Sequence, residues 1–194
     1  MVVAGVYLIA RSFAIFHVLP GALTVIAWIG VFTALFAAFI ALTQREIKRI
    51  LAFSTISQLG FMMLALGVGS LTSSMFHMMT HAFFKALLFL GAGSVLHALH
   101  DQADIFQMGG LRKSMPATCL MMGTAVLAIA GIPPFAGFFS KDEILVAAAH
   151  VSTPLYLLAS LAAFMTSFYM ARLFIVAFLG KPNPHNHPHE SGLA

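Results

Sequence analysis

Residues 116–149, PATCLMMGTAVLAIAGIPPFAGFFSKDEILVAAA, form an apolar run of 34 residues with two prolines near its middle. A helix that crosses a bilayer needs about 20 apolar residues, so this run is too long for one simple span. Pro133 and Pro134 remove two backbone donors and clash with preceding carbonyls, which predicts a break at Gly131-Ile132-Pro133-Pro134. Such a break is tolerated at membrane depth only where protein or a watery cavity satisfies the freed groups, and broken helices often build ion sites. A loop between a short span and an interfacial helix is the alternative.

The rest of the chain divides into similar apolar runs. The hydropathy pattern predicts an all-α fold, a polytopic transmembrane helical bundle of about six membrane segments: 2–18, 21–42, 51–69, 73–98, 116–149 and 152–179. Residues 1–180 are predicted to form the transmembrane domain, and residues 181–194 a polar loop or tail. The tail contains His185, His187 and His189, which could bind a metal; a solvated linker is the interpretation we favour.

The composition agrees with a membrane protein. Hydrophobic residues make up 60% of the chain and charged residues 8%, and the mean hydropathy is +0.96. A soluble domain carries about 25% charged residues. Cys119 is the only cysteine, which excludes internal disulfides and thiolate-ligated clusters, and no phosphate-binding glycine loop is present. We therefore expect this chain to hold no cofactor and no metal.

The basic residues indicate one orientation. Alternate connections carry cations, and the others carry none; the cations are Arg45, Lys48, Arg49, Arg112, Lys113 and Lys181. Six helices threaded in order place all of them on one face, which the positive-inside rule assigns to the cytoplasm or matrix. The net charge of +4 is therefore read as a topology signal rather than as a nucleic-acid surface.

The fourth segment carries the most informative polar residues. Lys85 lies near its centre, roughly 15 Å from either interface, where a charge costs roughly 2.5–3.5 kcal/mol. His77 and His81 precede it at spacings of four, so all three share one stripe of the helix. Histidine changes charge near neutral pH, so such a row can pass protons. A row of purely structural hydrogen bonds, or a metal site at the two histidines, are the alternatives.

Two further lysines stay ambiguous on spacing alone. Lys141 follows the proline break, where its depth is undetermined and Asp142 or Glu143 could pair with it at the surface. Lys48 begins a helix whose polar line is Ser54, Ser57 and Gln58, and it could simply anchor the cytoplasmic end.

Four motifs resemble the antiporter-like subunits of respiratory complex I. They are IKRILAFSTISQLG at 47–60, THAFFKALLFL at 80–90, GGLR at 109–112 and GIPPFAGFFSKDEIL at 131–145. They follow one another in the family's order and spacing, the resemblance covers nearly the whole chain, and the last motif is similar to the subunit 5 (subunit L) branch. The resemblance implies the second half of a fold built from two inverted repeats, each with a broken helix.

The resemblance also implies roles for individual residues. It suggests a proton path through Lys85, His81, His77, Lys48 and Lys141, with the broken helix formed at Gly131, Pro133 and Pro134. None of these would be a redox catalyst. NADH, FMN, iron–sulfur clusters and quinone would lie on partner subunits, and the partners would be other membrane subunits of complex I and the lipid bilayer.

The function implied is that of a subunit of a proton-translocating NADH:quinone oxidoreductase, in a bacterial plasma membrane or a mitochondrial-type inner membrane, with the bacterial membrane favoured. The large subunit of an Mrp-type sodium/proton antiporter or a membrane-bound hydrogenase relative is the alternative, and a non-catalytic membrane scaffold is the alternative of another class. Because the chain resembles only the second repeat, we expect a fragment that is inactive alone.

Overall fold

The computed structural model describes residues 3–181, so the predicted histidine tail lies outside the described residues. The described part is helical, and its one β pairing is an isolated bridge between Glu46 and Asp104. The helices are α1 (Ala4–Arg11), α2 (Phe13–Val18), α3 (Pro20–Thr43), α4 (Ile47–Gly67), α5 (Leu71–Ala98), α6 (Ile105–Met108), α7 (Leu111–Ser114), α8 (Pro116–Ala130), α9 (Ala136–Val151) and α10 (Thr153–Phe174). A π-helical stretch, Ile175–Leu179, continues α10.

The predicted all-α fold is confirmed. Four helices of the described chain are long and apolar enough to cross a membrane: Gly21–Thr43, Ile47–Gly67, Leu71–Ala98 and Thr153–Leu179. The long fifth segment is divided, because α8 ends at Ala130 and α9 begins at Ala136. The predicted first segment consists of the two short helices α1 and α2, which meet at Ser12.

Helix α4 begins four residues before the apolar run that predicts it. The hydropathy pattern places the start at residue 51, but the helix includes Ile47, Lys48 and Arg49. Long basic side chains can extend from a helix end into the polar interface, so charge does not end a helix there. The short helices α6 and α7 between the fourth and fifth segments have no counterpart in the prediction.

Helices α3 and α4 pack with their backbones in close contact at glycines. A methyl group added at Gly60 would meet the backbone nitrogen of Ala34 at 2.5 Å, and one at Gly30 would meet that of Leu64 at 2.5 Å. Small residues permit such close approach between helices in a membrane, where packing rather than the hydrophobic effect drives association. Ser57 Oγ adds a hydrogen bond of 2.9 Å to the Ala34 carbonyl across this contact.

The basic connections meet at one end of the bundle. The guanidinium groups of Arg45 and Arg172 each lie 5.8 Å from the centre of the Phe106 ring. Arg172 donates to the carbonyl oxygens of Leu42 and Gln44, which are left without helical partners at the end of α3. The connection that carries Arg45 therefore lies at the same end of the bundle as the connection that contains Phe106; which side of a membrane this end faces stays a prediction.

Helix α5 is the centre of the polar interior. It packs against α4, α8 and α9, and its buried face repeats every three or four residues. The middle of that face includes His77, Thr80, His81, Phe84, Lys85 and Leu88. The contacts of three helices therefore bury the stripe that the spacing of the histidines and the lysine predicts.

Candidate functional site

Lys85 is enclosed within the bundle. The residue is 5% exposed, and its ammonium nitrogen donates to the carbonyl oxygen of Leu51 at 3.0 Å and to the hydroxyl of Ser54. The only ion pair among residues 3–181 joins Arg49 to Glu46 at the surface. The hydrogen-bond partners of Lys85 are thus neutral oxygens, and no carboxylate among residues 3–181 forms an ion pair with its ammonium group.

His77 is held from both sides. Its Nε2 lies 3.0 Å from Gln58 Oε1, and its Nδ1 lies 2.9 Å from Ser140 Oγ. Because an amide oxygen only accepts, a neutral His77 carries its hydrogen on Nε2, and its Nδ1 accepts from Ser140. Thr80 lies 3.1 Å from the same serine oxygen. Helices α4, α5 and α9 therefore meet in one buried hydrogen-bond network.

His81 occupies the stripe without joining that network. It is 4% exposed, its Nε2 has no hydrogen-bond partner among the described residues, and its ring packs edge-on against Phe84 with 5.4 Å between the ring centres. The ring centres of His77 and His81 are 6.4 Å apart. The stripe places the two imidazoles near each other, but no direct hydrogen bond connects them.

Lys141 lies at the break between α8 and α9. It is 4% exposed, and its ammonium nitrogen donates to the carbonyl oxygen of Ile129 at 2.5 Å. Its stem passes the positive-φ residue Gly131, where an added methyl group would lie 3.6 Å from the lysine Cδ. Asp142 and Glu143 are both exposed, so the surface pair that the sequence leaves open for Lys141 does not form.

The break leaves none of the last four carbonyls of α8 without a donor. The amides of Ile132 and Gly131 donate to the oxygens of Leu127 and Ala128, each at 3.2 Å. Lys141 takes the oxygen of Ile129, and Ser167 Oγ on α10 donates to that of Ala130 at 3.0 Å. A helix end at membrane depth needs such partners, and here two of the four are side chains of other helices.

Lys48 lies apart from the buried row. It is exposed and borders a cleft of about 420 Å³ at the end of α5, together with His97, His100 and Asp101. Along α5 this cleft lies beyond Lys85, towards the end where the basic connections gather. The structure therefore brings together His77, His81, Lys85 and Lys141, and it places Lys48 at the mouth of the bundle.

Residues 1–166 match the family model described as the transmembrane region of NADH:quinone oxidoreductase and Mrp antiporters. The chain belongs to this family. The share of the chain that matches includes α5, the break and the beginning of α10.

Curated relatives from bacteria agree with this assignment. The chain is 50% identical over 189 residues to the NAD(P)H-quinone oxidoreductase chain 5 of a Picosynechococcus species, covering 93% of this chain and 28% of the relative. It is 48% identical over 192 residues to the NADH-quinone oxidoreductase subunit L of Campylobacter jejuni, covering 98% and 32%. The chain thus spans about a third or less of the length of these relatives.

A solved member of the antiporter family has the same fold. The Mrp complex from a Dietzia species contains a chain that superposes with a TM-score of 0.86 at 29% sequence identity. The match covers 92% of this chain and 34% of that one. The helical arrangement described above is therefore also found in a chain of this Mrp complex.

Some residues of the site have no clear signal in the sequence. Ser140 reaches His77 from 63 positions away, and it appears in the sequence only as a neighbour of Lys141. Tyr169 is buried on α10 among the polar side chains of α4, although its surroundings in the sequence are those of any aromatic residue in an apolar helix. In contrast, Ser54 and Gln58 belong to the polar line that the sequence shows on α4.

Proposed function

We propose that this chain is a membrane segment of a redox-driven proton pump of the complex I type, in which buried lysines and histidines carry protons across part of the bilayer. The observation that carries the proposal is the pair of buried lysines, Lys85 and Lys141, held by neutral oxygens on either side of the His77 network. An amine with neutral partners can lose its proton without leaving a buried carboxylate unpaired.

The arrangement also gives the proposed path a direction. Lys48 lies at the end where the basic connections gather, Lys85 lies about 21 Å from the start of α5 at 1.5 Å per residue, and His77 lies about 9 Å from that start. Lys141 follows beyond the break. The proposed order is therefore Lys48, Lys85, the histidines and then Lys141, running from the basic face towards the other side.

The decisive test replaces Lys85 by Ala, and separately by Arg, in the full-length subunit that carries this segment. Assembly of the complex, NADH-driven quinone reduction and proton uptake into vesicles are measured on the same preparation. We expect assembled complexes in which the alanine variant loses at least about 100-fold in proton uptake. Arginine should not rescue uptake, because a guanidinium does not release its proton in a protein.

The control for this test is Lys113→Ala, which removes an exposed cation from the basic face. It should leave assembly and proton uptake unchanged. Unchanged proton uptake in an assembled Lys85→Ala complex would contradict the pump and favour the scaffold, in which the polar stripe only joins helices.

An Mrp-type sodium/proton antiporter is the second candidate, because the Dietzia Mrp complex shares the fold. Sodium is a hard cation that oxygen ligands bind, whereas amines and imidazoles exchange protons. Two lysines and two histidines in the interior favour protons as the ion that this segment carries. Sodium flux in the same vesicles, with and without Lys85, separates the two candidates.

The assignment to a complex I-type pump also sets the partners. NADH, FMN, iron–sulfur clusters and quinone would be bound by other subunits, and this chain would contact neighbouring membrane subunits and lipid. The bacterial relatives support a bacterial plasma membrane as its location.

A further inference from the structure

The hydroxyl of Tyr169 is buried in the polar interior and makes no well-formed hydrogen bond to a described residue. Tyr169 is 1% exposed, and its hydroxyl faces the side chains of Thr166, Ser54, Gln58 and Ser57. None of the described atoms meets this hydroxyl at full hydrogen-bond geometry. A buried polar group in this condition is uncommon and calls for a physical reason.

A second unpartnered donor faces the same region. Gln58 Nε2 is buried and makes no hydrogen bond to any described residue, while the Oε1 of the same amide accepts from His77 Nε2. The Tyr169 oxygen can accept from this amide and still donate its own hydrogen. One donor and one donor–acceptor therefore lie side by side, and both lack partners.

Ser54 lies between Lys85 and Tyr169 and already makes two hydrogen bonds. The serine oxygen accepts from the ammonium of Lys85, and its hydrogen points to the Leu51 carbonyl at 2.9 Å. A protonated Lys85 can bond to Ser54 only in this direction, since an ammonium has three donors and no acceptor. When Lys85 is neutral, its lone pair can accept from the Ser54 hydroxyl, and the serine oxygen then needs a new donor.

We propose that Tyr169 is a positioning residue for proton transfer at Lys85, acting through Ser54. Its hydroxyl donates to Ser54 once Lys85 has lost its proton, and its oxygen accepts from Gln58 Nε2. The hydrogen bonds then run in one direction, from His77 through Gln58, Tyr169 and Ser54 to Lys85. This inference rests on the proposed function, because it concerns the neutral state of a lysine that must exchange a proton.

This chain of hydrogen bonds does not pass through His81. In the stripe of α5, His81 lies between His77 and Lys85 but has no hydrogen bond from its Nε2 to a described residue. The route through α4 and α10 instead uses the two unpartnered polar atoms, together with bonds already formed at Lys85 and His77. These hydrogen bonds orient Ser54 towards Lys85 and break no N–H or O–H bond of their own. The proton that Lys85 loses goes to the next group of the proposed proton path, and the proton that it regains comes from the preceding group.

The test is Tyr169→Phe in the assembled complex, with Ser54→Ala and the double variant. Tyr169→Phe removes only the hydroxyl, and we expect proton uptake to fall about tenfold while assembly and the thermal midpoint stay unchanged. Ser54→Ala should fall by a similar factor. Because Tyr169 acts through Ser54, the double variant should be no slower than Ser54→Ala alone.

The matched control is Tyr156→Phe, on the same helix but 38% exposed and away from this network. It should keep full uptake. Full uptake in Tyr169→Phe would overturn the inference, as would a double variant whose loss is the product of the two single losses. Failure of Tyr169→Phe to assemble would also overturn it, since the hydroxyl would then be structural.

Lys85→Ala, measured alongside, separates this inference from the proposed function. If Lys85→Ala abolishes uptake and Tyr169→Phe does not change it, only the role of Tyr169 fails. If Lys85→Ala keeps full uptake, the proton path itself is wrong.

Discussion

Lys85 and Lys141 are both buried lysines without a carboxylate partner in the described chain, but their acceptors differ. The Leu51 carbonyl that receives Lys85 also accepts from Ser54 Oγ and Thr55 Oγ1, each at 2.9 Å. The Ile129 carbonyl that receives Lys141 belongs to the last turn of α8. It lies in a helix that the break has ended, so no following backbone amide is available to it.

The two lysines therefore differ in what they contribute to the stability of the fold. Removing Lys85 leaves its acceptor with other donors, whereas removing Lys141 leaves a buried carbonyl unpaired. A buried acceptor without a donor lowers stability by about 1–3 kcal/mol. Burying an amine that has only neutral partners also lowers stability, so removing such an amine relieves that cost. The two lysines should therefore affect activity alike and stability differently.

The largest effect on stability is expected from replacing each lysine by methionine, which keeps the stem and removes the amine. Relative to Lys85→Met, Lys141→Met should lower the free energy of unfolding by about 2 kcal/mol, because both variants remove a buried amine but only Lys141→Met leaves a carbonyl, that of Ile129, without its donor. Lys85→Met should leave it unchanged or raise it. Thermal unfolding of the detergent-solubilised full-length subunit measures both. Equal losses in the two variants would show that the two acceptors are equivalent and would remove the distinction.

The sequence predicts the helices that carry Lys85 and Lys141, but it does not predict the hydrogen-bond partners of these lysines. Apolar length and the two prolines predict the spans and the break, because both act locally along the chain. The spacing of His77, His81 and Lys85 places them on one face of a helix, and that face is buried. The depth of Lys141 depends on how α9 folds back against α8, which no local pattern determines.

The hydrogen-bond partners were beyond prediction for the same reason. Gln58 and Ser140 reach His77 from 19 and 63 positions away, so their contacts exist only after helices pack. Resemblance to a family suggests Lys48 as a member of the path, and the structure places it in an exposed cleft. Its role in proton transfer stays a prediction.

A smaller effect is expected at the neighbouring carbonyl of the break. Ser167→Ala should lower the free energy of unfolding by about 1 kcal/mol, because the Ala130 carbonyl loses the only side-chain donor that the described structure gives it. Ser160→Ala is the matched control on the same helix, since its hydroxyl has no partner among the described residues. The same unfolding measurement should find no loss for Ser160→Ala; a loss as large as that of Ser167→Ala would show that the capping bond is not the cause.

The smallest effect is expected at the surface. Arg49 and Glu46 form an ion pair of 2.9 Å whose side chains are 63% and 44% exposed. Arg49→Gln should change the free energy of unfolding by less than about 0.5 kcal/mol, since exposed pairs are screened by solvent. Unfolding at low and high salt checks this expectation. A loss comparable to that of Lys141→Met would mean that the basic end, and not the break, holds the bundle together.

The cap on Ile129 makes the junction between α8 and α9 sensitive to charge. The carboxyl end of a helix carries about half a negative charge, which attracts a cation placed against it. A neutral amine keeps two hydrogens and can still donate to the Ile129 oxygen, so loss of a proton from Lys141 weakens this cap without removing it. If Lys141 exchanges a proton as proposed, the contact between α8 and α9 is therefore stronger when Lys141 is charged and weaker when it is neutral.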